Sequence, residues 1–192
     1  MSRTDLVRDG AVLTGGDRRG TKLFTVPGLD VRPALARLRT SLFQVLASRL
    51  EGPALDLFAG IGTLGLEALS RGAEFVLFID SDPRCVQAIR RNLERLKFSD
   101  RADVVEGDAL QAPAIVAESG RTFGLVFIDP PYALYDDPAA AAKLEAAVAT
   151  LPVRGLLAVE HRTVQKFGEA WAGGKRVDQR KYGGTTVSLY SR

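Results

Sequence analysis

Near the middle of the chain, Gly60-Ile61-Gly62-Thr63-Leu64-Gly65 follows the apolar run Ala54-Leu55-Asp56-Leu57-Phe58 and leads into Leu66, Ala68 and Leu69, closed by Gly72. A short buried strand, a glycine-rich turn and a helix in that order make the first half of a cofactor-binding βαβ unit. No Gly-Lys-Ser/Thr follows the turn, which excludes a Walker-type phosphate loop. Three further acids close later apolar runs: Asp80 after Phe75–Ile79, Asp108 shortly after Ala102–Val105, and Asp129 after Phe123–Ile128. Asp129 opens the tetrapeptide Asp129-Pro130-Pro131-Tyr132.

The letters G-x-G-x-x-G, with Asp80 about 20 residues past the first glycine, would suit a dinucleotide. That reading leaves Asp56, Asp108 and the Asp-Pro-Pro-Tyr segment without a role. S-adenosylmethionine accounts for more of them. It carries no phosphate, so the turn need only let backbone approach a zwitterionic tail and a nucleoside, which glycine permits. Asp56 can accept near the tail's amino group, Asp80 can take the ribose hydroxyls, and Asp108 can accept from the adenine amine. Phe58, Gly60, Gly62, Ser81 and Ala109 stand beside these acids as further expected cofactor contacts.

The reacting end falls to Asp129, Pro130, Pro131 and Tyr132. Two prolines fix the backbone and remove two N–H donors, leaving carbonyl oxygens and a carboxylate. Such a cluster of acceptors suits a planar exocyclic amine, and Tyr132 can stack on the base that carries it. Methyl transfer from a sulfonium is an in-line displacement, so the chemistry is mainly positioning. The base must be unpaired or flipped to reach the site.

These residues need a scaffold. Apolar runs and helical patterns alternate from Ala54 to Val159, with Pro83 starting a helix through Leu96 and an Ala-rich helix from Pro138 to Thr150. A fifth strand, Gly155–Val159, ends at Glu160-His161, to which no role is assigned, and a closing hairpin turns at Gly183-Gly184. The pattern predicts an α/β fold: a doubly wound, mostly parallel sheet with a C-terminal antiparallel hairpin. In such sheets ligands bind beyond the carboxyl ends of the strands. Ahead of it, Ala11–Thr14 and Lys22–Val26 suggest a small β-hairpin, and residues 34–50 an amphipathic helix. We expect two parts: a basic RNA-binding extension over residues 1–50 and a catalytic domain over residues 51–192.

Composition narrows the partners. Of 192 residues, one is Cys and one is His, which excludes a disulfide framework or a multi-histidine zinc site within one chain; no metal is expected. No apolar run reaches the roughly 18–20 residues of a membrane span. With no signal-peptide core in its first 20 residues, the chain is expected to be a cytoplasmic monomer. The net charge of +3 is unevenly spread, with nine Lys/Arg against five Asp/Glu in residues 1–53. An anionic partner is expected there. Arg18, Arg19 and Lys22 at the hairpin tip, and Arg32, Arg37 and Arg39 around the helix start, are the candidate RNA contacts.

The sequence resembles the RsmD-type 16S rRNA (guanine-N2)-methyltransferases over nearly its whole length. GDRRGTKL (Gly16 to Leu23) is similar to that family's basic G-x-x-x-G-x-x-L segment. Arg32-Pro33, Arg37, Arg39 and Ser41-Leu42-Phe43 resemble its RP-x-x-x-R-x-R-x-x-LF signature, and DLFAGIGTLGLEALSRGA and FIDPPY its cofactor loop and catalytic motif. Thr40 stands where members often carry Glu, and Ala11–Thr14 replaces an Arg-Ile-Ile start. The resemblance implies a Rossmann-like S-adenosylmethionine-dependent enzyme. It would methylate the 2-amino group of a guanine in small-subunit rRNA, naked or in an assembling ribosomal subunit. Alternatives are an Asp-Pro-Pro-Tyr methyltransferase acting on adenine N6 or a glutamine amide, a non-catalytic RNA-binding module, and an NAD-dependent oxidoreductase.

Overall fold

A computed structural model describes residues 11–28, 33–47, 50 and 52–192, with backbone alone at 33–35. The elements run α1 (Pro33–Leu46), β1 (Pro53–Leu57), α2 (Thr63–Ser70), β2 (Phe75–Asp80), α3 (Pro83–Leu96), β3 (Ala102–Glu106), α4 (Ala112–Ser119), β4 (Phe123–Ile128), α5 (Tyr132–Asp136), α6 (Pro138–Ala149), β5 (Val153–Arg162), β6 (Ala170–Trp171), β7 (Gly174–Tyr182) and β8 (Thr185–Ser191). They build one sheet in the order β3-β2-β1-β4-β5-β8-β7-β6. β1 to β5 are mutually parallel; β8 pairs antiparallel with β5, and β7 with β8. The doubly wound sheet with a C-terminal antiparallel part is the architecture expected from the sequence.

The period-2 alternation of the strands decides which helices lie where. Val76, Phe78, Leu125, Phe127, Leu156 and Ala158 face one side and join Leu42 and Phe43 of α1, Leu66 and Leu69 of α2, and Ile89 and Leu93 of α3. Leu55, Leu57, Leu77, Val126, Ile128 and Leu157 face the other and meet Val116 of α4 and Leu144 and Val148 of α6. Both faces of β1, β2, β4 and β5 are thus covered, which is why they read as near-continuous apolar runs, whereas the edge strand β3 is only partly covered. Helix starts follow local chemistry: Asp82 caps α3 by accepting from Arg84 N, and Asp137 caps α6 through Ala139 N and Ala140 N, each with Pro in the first turn.

Several elements differ from expectation. The sequence pattern ends the fifth strand at Val159, whereas β5 continues to Arg162 because β8 pairs with it as far as Arg162↔Thr185. The segment after Tyr132 forms the short helix α5, and Ala170-Trp171 adds an edge strand. α1 is described to Leu46; residues 48 and 49 lie outside the described residues.

The N-terminal segments pair as a minimal hairpin through the antiparallel bridge Val12↔Lys22, with Leu23 N donating to Ala11 O at 2.9 Å. This hairpin is bonded into the sheet's helices. Thr14 donates from N and Oγ1 to the Glu67 carboxylate, both at 2.8 Å. Asp17 N donates to Ser70 O, and Ser70 Oγ to Gly15 O. Asn92 accepts from Phe24 N at 2.7 Å and donates to Phe24 O at 3.1 Å. Ala11, Leu13, Leu23 and Val26 are buried in the same apolar cluster as α2 and α3. The hairpin tip, Gly15 to Gly20, therefore sits at the C-terminal end of α2, one helix length from the glycine turn at its start.

Candidate active site

The turn after β1 is strained where it matters. Phe58 has φ 58°, a left-handed conformation rare for a bulky residue, and lines the cleft described below. Gly62 begins α2 at φ 81°, with its amide donating to Ala59 O at 2.8 Å. At Gly65 a Cβ would lie 2.3 Å from the Phe78 ring, so only glycine lets α2 pack this closely on β2.

Two carboxylates hold this turn. Asp80, at the end of β2, accepts from Gly60 N at 2.6 Å through Oδ2 and from Asp82 N at 2.8 Å through Oδ1. Asp56, inside β1, accepts from Gly65 N at 2.8 Å. Asp56 is only 1% exposed, and burial pushes its carboxyl well above the usual carboxylate range. Asp56 was expected at the cofactor; its carboxylate supports the loop from beneath, and Asp56 is not among the residues lining the cleft. Gly62 is likewise buried behind the wall.

The carboxyl ends of the parallel strands, with the β7–β8 turn above them, enclose a cleft of about 1070 Å³. Phe58, Gly60, Asp80, Ser81, Asp108 and Ala109 line one side; Asp129, Pro130, Pro131 and Tyr132 line the other. The structure thus brings together residues spread over 75 positions of sequence, at the point where strand order reverses between β1 and β4. Asp108 also caps the turn after β3, accepting from Leu110 N at 2.9 Å. Cys85 reaches the cleft wall from α3, its thiol pushed up to about 12 chiefly by burial.

On the second side the structure adds residues that carry no role in the sequence reading. Glu160, Arg162, Tyr182 and Thr185 join the wall. Tyr132 Oη lies 2.8 Å from Thr185 Oγ1 and 3.4 Å from Glu160 Oε1, and the Arg162 guanidinium sits 5.1 Å from the Tyr132 ring centre. Arg162 is also paired with Asp136 at 2.9 Å. Burial raises the carboxyls of both Asp129 and Glu160, and at Glu160 the neighbouring Asp129 charge adds to it. The signal for Glu160 was present in the sequence: it follows a strand end on the rim that holds Asp80, Asp108 and Asp129. By contrast His161, next in the chain, points away, bonded to Ser188 Oγ at 2.9 Å and stacked on Phe167.

The candidate RNA contacts divide. Arg19, Lys22 and Arg37 are exposed. Arg37 precedes Ser41 by one turn of α1, and Ser41 Oγ accepts from Tyr182 Oη of the cleft wall at 2.7 Å. Arg18 is half-buried, donating to Leu96 O at 3.0 Å beside the Phe98 ring. Arg39 departs from expectation: it is 5% exposed, donates to Val12 O at 3.0 Å, and holds the hairpin to α1. Its place in the charge pattern concealed a buried residue facing Glu67, whose charge partly offsets the lowering of the Arg39 pKa by burial. Arg32 lies outside the described residues.

Among the described residues there is no cluster of three metal-ligating side chains, and no helix is long and apolar enough to cross a membrane.

Comparison with known proteins agrees with this geometry. A Bacillus subtilis (strain 168) protein, provisionally named rRNA methyltransferase YlbH, is 32% identical over 178 residues, covering 92% of this chain and 96% of that protein. Ribosomal RNA small subunit methyltransferase D of Escherichia coli (strain K12) is 39% identical over 121 residues, 62% of this chain and 59% of the relative. A solved Escherichia coli structure, provisionally described as the methyltransferase yhhF, superposes with a TM-score of 0.79 at 31% identity, covering 95% of this chain and 97% of that one. The family described as conserved hypothetical protein 95 matches residues 12–191, and with the glycine turn, the Asp-Pro-Pro-Tyr rim and the cleft between them in place, the chain belongs to this family, the RsmD-type methyltransferases.

Proposed function

We propose that this enzyme transfers a methyl group from S-adenosylmethionine to the exocyclic 2-amino group of a guanine in small-subunit rRNA. The observation that carries the reading is the facing of two walls across one cleft: the turn gripped by Asp80, and the Asp129–Tyr132 rim. The first wall fits the cofactor. S-adenosylmethionine offers donors at its ammonium, ribose hydroxyls and adenine amine, and this wall presents Asp80, Asp82 and Asp108 with no Lys or Arg among its lining residues. A dinucleotide pyrophosphate would meet like charge there. When bound, S-adenosylmethionine supplies an electrophilic methyl on a sulfonium.

The chain's own residues do the rest. The Asp129 carboxylate, beside the carbonyl oxygens of the two prolines, accepts an N–H bond from the amine and turns the nitrogen lone pair toward the methyl. As the N–C bond forms, the amine proton becomes acidic, and an acceptor already placed at that nitrogen stabilises the developing charge. Tyr132, fixed by Thr185 and Glu160, offers a ring face to the base. Arg19, Lys22 and Arg37 are the exposed cations available to rRNA phosphates. The relatives support the substrate class by their names.

The test is transfer of radiolabelled methyl from S-adenosylmethionine to small-subunit rRNA, both naked and in assembling subunits, followed by mapping of the product. N2-methylguanine is expected. N6-methyladenine, labelled glutamine, or no binding of S-adenosylmethionine by calorimetry would overturn the reading in favour of its respective alternatives.

A further inference from the structure

β4 and β5 are in register up to Ile128↔Val159, so the next residues of the two strands, Asp129 and Glu160, stand side by side where the ladder ends. Neighbouring parallel strands lie about 4.8 Å apart. Both side chains line the cleft, and among the described residues neither forms an ion pair. Glu160 is 7% exposed, and the hydrogen bond it accepts from Tyr132 Oη is a long one, at 3.4 Å. Two adjacent, poorly solvated carboxylates are a costly arrangement unless a ligand supplies several donors at once.

Guanine supplies that number. Its Watson–Crick edge carries three N–H bonds, one at N1 and two at N2. One N2 hydrogen satisfies the Asp129 side, leaving N1–H and the other N2–H parallel, in the arrangement that a carboxylate accepts with both oxygens. Adenine and cytosine each place a ring-nitrogen acceptor beside their exocyclic amine, and that lone pair would face a carboxylate oxygen. Asp129 alone accepts from any exocyclic amine. A second carboxylate beside it distinguishes guanine from the other amino bases.

We propose that Glu160 is the specificity residue of the cleft, reading N1–H and N2–H of the target guanine while Asp129 orients N2 for transfer. This rests on the proposed guanine-N2 activity and adds to it a residue and an atom. The strand pairing gives the reader rigidity: Glu160 lies within the antiparallel ladder with β8, opposite Val187, so its backbone cannot shift to admit another base.

The test substitutes 2-aminopurine for the target guanine in an RNA whose modified position has first been mapped. This base keeps the 2-amino group and replaces N1–H with an acceptor. The wild-type protein should favour guanine by roughly 10–100-fold in kcat/KM. Glu160→Gln presents one donor and one acceptor, which suits 2-aminopurine, so the preference should collapse toward unity while affinity for S-adenosylmethionine is unchanged. A variant that loses activity on both bases by the same factor would overturn the role, as a purely structural defect predicts. Equal wild-type rates on the two bases would overturn it without any variant. Failure of wild-type protein to methylate N2 of any rRNA guanine would instead overturn the activity on which the inference rests.

Discussion

Asp80 Oδ2 accepts from Gly60 N at 2.6 Å, tying the end of β2 to the turn that follows β1. The same carboxylate takes Asp82 N through its other oxygen, so one side chain sets two backbone segments of the cleft wall. Asp80→Ala should weaken S-adenosylmethionine binding by about 10–100-fold, the range for losing hydrogen bonds to a charged group. Calorimetry measures it directly, and unchanged affinity would remove Asp80 from the cofactor wall.

Asp129 should act on the other half of the reaction. Asp129→Ala should lower kcat by about 100–1000-fold, as does removal of a single preorganised polar group from an active site. Cofactor affinity should stay within a few-fold of wild type, because Asp80, Ser81 and Asp108 are untouched. Single-turnover transfer beside a binding titration separates the two, and full activity would refute the role.

The buried carboxyls make stability depend on pH in a definite direction. Asp129 and Glu160 are both raised in the folded protein, mainly by burial. Below the unfolded carboxylate pKa of about 4, folded and unfolded chains both hold the proton and there is no penalty. As pH rises above that value the unfolded chain releases protons first, so stability falls until the folded groups also ionise. Glu160→Gln should therefore raise Tm relative to wild type at pH 8 and lose most of that advantage at pH 4. A gain independent of pH would refute the assignment.

Two arginines two positions apart on α1 should give opposite results. Arg39→Ala removes a buried guanidinium bonded to Val12 O and should cost about 1–3 kcal/mol of stability, read by denaturant unfolding. Arg37→Ala alters an exposed side chain and should leave stability within about 0.5 kcal/mol. It should instead weaken rRNA binding and reduce the salt slope by about one. An unchanged slope would return Arg37 to a solvated helix face.

Much of the fold was legible because its signals are local. The apolar runs of β1, β2 and β4 are buried on both sides, and Asp82-Pro83 and Asp137-Pro138 start helices by capping chemistry within a few residues. Asp80, Asp108 and Asp129 could be placed on one rim from strand ends alone, since parallel strands all finish at the same edge. Tertiary structure decided what depended on a distant partner. Asp56 turned inward because Gly65 N of α2 lies above it, and Arg39 became buried because the hairpin offers it Val12 O. β5 ran on to carry Glu160 and Arg162 into the cleft because β8, more than 20 residues later, pairs with it. The types and order of residues determined which groups could do the chemistry. Which of them face the cleft was decided by contacts between segments far apart in the chain, since a side chain's exposure depends on what packs against it.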